Sequence, residues 1–428
     1  MKTSLVSFAL ASAVAAASAA VPTVESVSVA QDAVGGKVTV SYRLTDADAI
    51  VTINLQTNVL SDATGAWVSV GDKNQTTLVG DVNQLVTASD TTVRTACWFP
   101  DREPFAGKNL GPVRAVVRPW TEKQPPDYLV LDLEATNARR YYTSADALPD
   151  GGLTNKIYRR SRLVMRRIPA AGQTFRMGAT PEEQAHYGTK EGSTLAVGVP
   201  HLVSFTNDYY MSIYHLTQGQ TYCVTNSSVQ TTSAGYKAGD CYVLGIIPWA
   251  NVRGSGAAGA DYDWPKKGHA VAPNSVLGLF RARTGVELDL PTDAQWEYAC
   301  RAGTSSYWSS GEYASDNVPE IAVCSSGSAY YSNEVGTKKP NPWGLYDMHG
   351  LAWDYCLDWY SETDYVGNGE PVVEPVGPES SDTGKRVRRG GSYGQTATMT
   401  RSGCREQGSM DLSGYNGYRL IAPIGLKW

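Results

Sequence analysis

The sequence predicts an α+β protein in two parts, an N-terminal all-β sandwich of the immunoglobulin or fibronectin III kind followed by a loop-rich second domain. Three observations carry that expectation. Apolar and polar residues alternate in short runs up to about residue 134, which is the period of half-buried strands. Helical patterning with capping signals appears only later, near Ser275 and Thr292. Glycine is abundant and Tyr outnumbers Phe by 25 to 6, a balance that favours ordered loops over a helical bundle. At 428 residues the chain exceeds one ordinary core, so two domains are expected.

Residues 1–20 carry Lys2, an apolar run from Leu5 to Ala16 and small residues at Ala17 and Ala19. That is the layout of a secretory leader, and cleavage is expected near Ala19 or Ala20. No later segment is apolar enough to span a bilayer, so the mature chain is expected to be secreted, at the cell surface or periplasmic. In 21–135, Val38, Val40, Tyr42 and Leu44 alternate with Thr39, Ser41 and Arg43, and Val51, Ile53 and Leu55 alternate with Thr52 and Asn54. Short antiparallel strands of this kind close most simply as a sandwich. Residues 136–156 are rich in Asp, Pro and Gly-Gly and read as the connection. The second domain, 157–425, opens with a strand expected over 157–168. Its clearest helices begin at Asn274 or Ser275, with Gly285 as C-terminal cap, and at Thr292, where Thr292 and Gln295 form a T-x-x-Q capping box and Gly303 ends the helix. A shorter helix is expected over 217–222.

The formal charge is −5, from 37 Lys plus Arg against 42 Asp plus Glu, which argues against a nucleic-acid binder. Arginines cluster at 159–167 and at 386–389, but each cluster is interleaved with apolar residues and reads as a paired or solvated strand face. Seven cysteines show no CxxC, so a zinc ribbon or redox motif is not expected; export would permit disulfides, with Cys223 and Cys241 nearest in sequence. The five histidines are scattered and form no facial triad, and no GxSxG, P-loop or dinucleotide fingerprint occurs.

The densest chemistry lies in 340–360, PNPWGLYDMHGLAWDYCLDWY. Trp343, Trp353 and Trp359 stand among Tyr346, Tyr355 and Tyr360, with carboxylates at Asp347, Asp354 and Asp358 and turn glycines at Gly344 and Gly350. Such carboxylates can cap turns or hold a hard cation, and such aromatics serve core and site together. His349 is expected to order this turn.

Four motifs then come in register: LDLPTDAQWEYACRAGT (288–304), VGTKKPNPWGLYDMHGLAWDYCLDWY (335–360), RVRRGGSY (386–393) and GYRL (417–420), preceded by RRIPAAGQTFRMG. Together they resemble the formylglycine-generating enzyme, or sulfatase-modifying factor, family over most of the second domain. The resemblance implies a C-type-lectin-like fold with little regular structure. It also implies a calcium ion held by Asp347 and Asp354 side chains and by the carbonyls of Gly350 and Ala352, although Leu351 stands where the family has Asn and Asp354 where it has Glu. The family's oxidase chemistry uses two cysteines after RGGS to bind copper(I) and the substrate thiol; the matching positions here are Gln395 and Thr400. Soft thiolates select copper(I) and oxygen ligands do not replace them, so copper is not expected.

Two functions follow. The first is a secreted, calcium-stabilised binding protein for an extracellular protein or glycan, with no nucleic-acid partner. Its ligand-facing loop would present Tyr393, Gln395, Thr400, Arg401, Arg405, Tyr415 and Tyr418. The alternative is an enzyme with an altered oxidase-type pocket using Cys404, Ser392 and Trp353.

Overall fold

The computed structural model describes residues 20–32, 36–58, 65–187, 196–197, 200–227, 238–245, 247–254, 271–311, 318–325, 334–361, 369–408 and 415–424. The expected leader lies outside them except for Ala20. Among the described residues no helix is long and apolar enough to cross a membrane.

The alternation at 38–44 folds as its period requires: Val38, Val40, Tyr42 and Leu44 are buried while Thr39, Ser41 and Arg43 are half-exposed. This strand, Val38–Thr45, lies between Thr23–Gln31 and Arg94–Trp98, with Val79–Gly80 beyond, all antiparallel. A second sheet is built on Ala49–Thr57, which pairs antiparallel with Val68–Ser69, Gln84–Val86 and Val113–Trp120. Both sheets feed one core, in which Val40, Tyr42 and Trp98 join Val51, Ile53 and Leu55.

The second unit has a five-stranded antiparallel sheet in the order Arg139–Tyr142, Tyr128–Asp132, Arg162–Ile168, Tyr209–Ser212, Ile421–Pro423. Both of its faces are covered. Val130, Val164 and Met211 enter one core, and Leu129, Leu131, Leu163, Met165 and Tyr210 the other. A second five-stranded sheet runs Ala196–Val197, Cys404–Gly408, Arg386–Arg389, Trp353–Trp359, Asn416–Gly417, the last pair parallel.

Two expectations about the junction differ from what is observed. The stretch 136–156 contains the strand Arg139–Tyr142, and Tyr128–Asp132 pairs with Arg162–Ile168, so the division expected at 135 falls inside the second unit's sheet. Asn137, Asp150, Gly151 and Gly152 all have positive φ. They mark tight turns, which punctuate a chain whether or not a domain ends there. Likewise 157–160 is one helical turn, and the strand starts at Arg162. The units also touch: Tyr141 N donates to Asn83 O, Ile50 is buried in the second unit's core and Trp120 packs against it.

The helices are capped as the sequence indicates. Ser275 Oγ accepts from Gly278 N, and Gly285 closes Val276–Thr284 at φ 66°. On Asp293–Arg301 the capping box is complete, with Gln295 N donating to Thr292 Oγ1 and Thr292 N to Gln295 Oε1. The left-handed cap is Ala302, one residue before Gly303, which is also left-handed. The expected short helix is Gln218–Thr225, and Thr217 and Gln220 form a second capping box.

The Thr292 cap is at the start of the helix that faces the candidate site. Thr292→Ala is expected to lower unfolding free energy by about 1 kcal/mol, the usual cost of losing an N-cap hydroxyl. A denaturant titration with unchanged midpoint and slope would show that Gln295 and the surrounding packing suffice without it.

Candidate functional site

Helix Asp293–Arg301 presents Asp293 and Glu297 one turn apart, on a face that meets strands Arg386–Arg389 and Cys404–Gly408. Arg389 donates Nε to Asp293 Oδ1 and Nη2 to Glu297 Oε2 at 2.8 Å. Arg405 Nε donates to Asp293 Oδ2 at 2.7 Å, and Arg301 Nε to Glu297 Oε1 at 2.8 Å. Glu297 Oε1 also accepts from Gly178 N. The spare Nη1 of Arg389 reaches the carbonyls of Ser402 and Cys404. All these side chains are buried, so each charge depends on the others for its compensation. Beside them Arg401 pairs with Glu183 at 3.0 Å, and burial pushes the Glu183 carboxyl up. Asp358 Oδ2 accepts from Asp293 N at 2.7 Å; burial, and then the Asp293 carboxylate, push Asp358 up to about 7.

The turn 340–352 is held from several sides. Asn341 Oδ1 accepts from Trp343 N and Leu345 N, while its Nδ2 donates to the carbonyls of Ala299 and Cys300 at the helix end. Gly350 has φ 128°, and a Cβ there would lie 2.4 Å from Val323 O, so no other residue fits. His349 is fully buried between Thr400 O, 2.8 Å from Nδ1, and Ser309 Oγ, 2.6 Å from Nε2. Burial pushes His349 down to about 4, so the ring is neutral: Nδ1–H donates and Nε2 accepts. It orders the turn, as expected from the sequence.

The four residues expected as calcium ligands lie at this turn, with four of their six oxygens already hydrogen-bonded. Gly350 O accepts from Ala352 N at 2.9 Å. Ala352 O is 3.0 Å from His215 Nε2, which also stands 3.2 Å from Asp354 Oδ1. Asp354 Oδ2 accepts from Trp296 Nε1 and Arg419 Nε, and Asp347 Oδ2 from Gly336 N. Asp347 Oδ1 and Asp354 Oδ1 are left buried without a hydrogen bond, and burial pushes the Asp347 carboxyl up. Calcium takes six to eight oxygens. Among the described residues no group of three or more His, Cys, Asp or Glu is arranged to hold a metal ion.

The expected ligand loop is mostly interior. Tyr393, Thr400, Arg401, Arg405 and Tyr418 are buried, Gln395 is half-buried and Tyr415 exposed; residues 409–414 lie outside the described residues. Thr400 Oγ1 accepts from Trp308 Nε1, Tyr418 donates to Ile247 O, and the Tyr393 and Tyr415 rings are 4.9 Å apart. The composition signalled polar contact area correctly, but the contacts are internal. Cys404 Sγ is 3.3 Å from Thr398 O, and burial pushes its thiol up, away from the thiolate a nucleophile needs. Ser392 Oγ and Trp353 Nε1 are buried and make no hydrogen bond among the described residues. All seven cysteines are free, so the disulfide that export would permit is not formed between Cys223 and Cys241.

A site that sequence reasoning missed opens where the two units meet. It is a cleft of about 960 Å³ lined by Arg118, Trp120 and Lys123 from one side and by Asp208, Asp289 and Glu374 from the other. Its acids are already engaged: Asp208 by Arg167, Asp289 by Arg253, and Glu374 by Thr206 N. Arg118 stacks its guanidinium 3.6 Å from the Trp120 ring, and neither it nor Lys123 makes an ion pair among the described residues. The cleft therefore presents cations and an aromatic rather than free carboxylates. No sequence pattern signals it, because its walls come from segments as far apart as Arg118 and Ile424.

The Sulfatase-modifying factor enzyme 1-like domain matches residues 164–424. The formylglycine-generating enzyme of Bos taurus is 26% identical over 292 residues, covering 60% of this chain and 74% of that protein. That of Mus musculus is 26% identical over 322 residues, covering 67% and 81%. Among solved structures, Treponema denticola variable protein 1 is similar at 22% identity and TM-score 0.45, covering 61% of this chain and 95% of that one.

Two outcomes follow from the buried charges. Asp293→Asn leaves Arg389 and Arg405 undercompensated and is expected to cost about 3–5 kcal/mol in denaturant unfolding, the scale for breaking a buried pair; a loss under about 1 kcal/mol would mean the cluster is not coupled as the geometry indicates. Asp358 binds its proton more tightly folded than unfolded, so its contribution is fully present below about pH 4 and is lost as pH rises to about 7. Asp358→Asn, which keeps an acceptor for Asp293 N, is expected to flatten the fall in thermal midpoint across that window, and parallel curves for the two proteins would refute this.

Proposed function

The chain belongs to the sulfatase-modifying factor enzyme 1-like domain family through residues 164–424, and from that premise we propose that it is an exported, catalytically silent member that binds an acidic extracellular glycan. One observation carries the reading. The positions matching the family's copper cysteines are Gln395 and Thr400, and the nearby Cys404 thiol is buried against a carbonyl. A copper(I) site needs two soft thiolates placed together. The same facts speak against the alternative of an oxidase-type enzyme built on Cys404, Ser392 and Trp353, since the one thiol in that set is held protonated by burial.

Binding falls to the junction cleft rather than to the loop 393–418. The cleft has the size of a ligand site and lies between two units, where such sites concentrate. Arg118 and Lys123 supply positive charge without an ion pair among the described residues, and Trp120 holds the Arg118 guanidinium against its ring. The leader-like residues 1–20 support export. The N-terminal sheets, read as an immunoglobulin- or fibronectin III-like module, then form one wall of the site as well as a spacer.

The purified chain supplied with copper and a CxPxR peptide is expected to form no aldehyde, and turnover would overturn the silent reading. An array of neutral and acidic oligosaccharides tests the rest. Acidic members are expected to bind, and the double substitution Arg118→Ala with Lys123→Ala to weaken them about tenfold or more, the equivalent of ~1.4 kcal/mol from lost charge-assisted hydrogen bonds. Equal binding of neutral sugars, or no effect of the double substitution, would remove the cleft from the account.

A further inference from the structure

We propose that His215 occupies the place of a cation in this protein: its imidazole is hydrogen-bonded to the Ala352 carbonyl and stands against the Asp354 carboxylate, so the central turn is held without calcium. His215 follows strand Tyr209–Ser212, far in sequence from the turn it serves, and its ring is fully buried. Its Nε2 donates to Ala352 O at 3.0 Å and lies 3.2 Å from Asp354 Oδ1, which itself makes no hydrogen bond among the described residues. Its Nδ1 meets no partner, as expected if only one edge of the ring is used.

Three further observations close the position to an ion. Arg419 is anchored by Ser212 O at 2.8 Å and Tyr346 O at 2.7 Å, and its Nε lies 3.2 Å from Asp354 Oδ2. A permanent positive charge thus neutralises the carboxylate and would repel a dication brought beside it. The ring itself has nowhere to go. A Cβ on Gly417 would lie 2.9 Å from His215 Cδ2 and 3.1 Å from Ala352 Cβ, so the backbone of Asn416–Gly417 clamps imidazole and turn together. Finally, the carbonyls an ion would need are committed, Gly350 O to Ala352 N and Ala352 O to His215. The protein thereby supplies from one side chain the two contacts to the turn that a bound metal would otherwise make, and it does so without taking a doubly charged ion out of water.

The test uses the whole chain and reads stability and metal content rather than activity. Wild-type protein is expected to show the same thermal midpoint, within about one degree, in millimolar calcium and in excess chelator, and to retain well under one calcium per chain after desalting. His215→Gln keeps an N–H donor and is expected to retain more of the midpoint than His215→Ala. His215→Glu places a third carboxylate on the turn and is expected to gain a calcium-dependent rise in midpoint. Stoichiometric calcium in the wild type, or a midpoint that falls on chelation, overturns the proposal. So does His215→Ala at wild-type stability, or a folded His215→Glu that ignores calcium. If a variant fails to fold, the wild-type measurements alone decide.

Discussion

The second unit depends on a buried cluster of opposite charges. Asp293 and Glu297 project from one helix, and Arg389, Arg405 and Arg301 converge on them from two strands and from the helix itself. A loop-rich fold has few long elements to share an apolar interface, so a different constraint must fix the helix against the sheet. Arg389 does this with direction as well as energy, because its planar fork spans two carboxylates, Nε on Asp293 and Nη2 on Glu297. Burying five charges is costly when any partner is missing, and the cost makes the arrangement all-or-none. The Arg389 contacts to Ser402 O and Cys404 O extend the constraint into the backbone after RGGS. The loop in which a relative's chemistry would be sought is therefore framework here.

The same logic runs through the turn 340–352 at a smaller scale. Its backbone takes left-handed conformations at Asp347, Gly350 and Leu351, which the surroundings must enforce. Asn341, His349, His215 and Arg419 each tie it to a separate segment. The strand that follows, Trp353–Trp359, is buried on both faces, which explains why aromatics and carboxylates alternate there without a solvent side. Asp354 and Asp358 point into that interior and are met by Trp296, Arg419 and Asp293 N. With the turn and its neighbours serving structure, open polar surface remains at the junction between units.

Much of the fold is legible in the sequence. The strand at 38–45 was visible because one face is buried and period two is then enforced; the helix at 293 was visible because a capping box is a local, four-residue device. The junction was not. Turn residues at 137 and 150–152 looked like a linker, and only pairing with Arg162–Ile168 shows that the strands on either side of 135 belong to the second unit. The loop 393–418 was read as ligand-facing from its Tyr, Thr and Arg content, yet Arg401 and Arg405 find Glu183 and Asp293, more than a hundred residues away.

The sequence by itself determined the family, the order of the motifs and the absence of cysteine at positions 395 and 400, since these depend only on which residues stand where. It also determined the local signals, strand period and helix caps, whose partners lie within a few residues. Only the tertiary structure decided whether a polar residue meets solvent, a metal or another side chain. His215, the acids of the junction cleft and the arginines after RGGS took their roles from partners brought close by the fold, and a buried charge has no meaning until its counter-charge is in place.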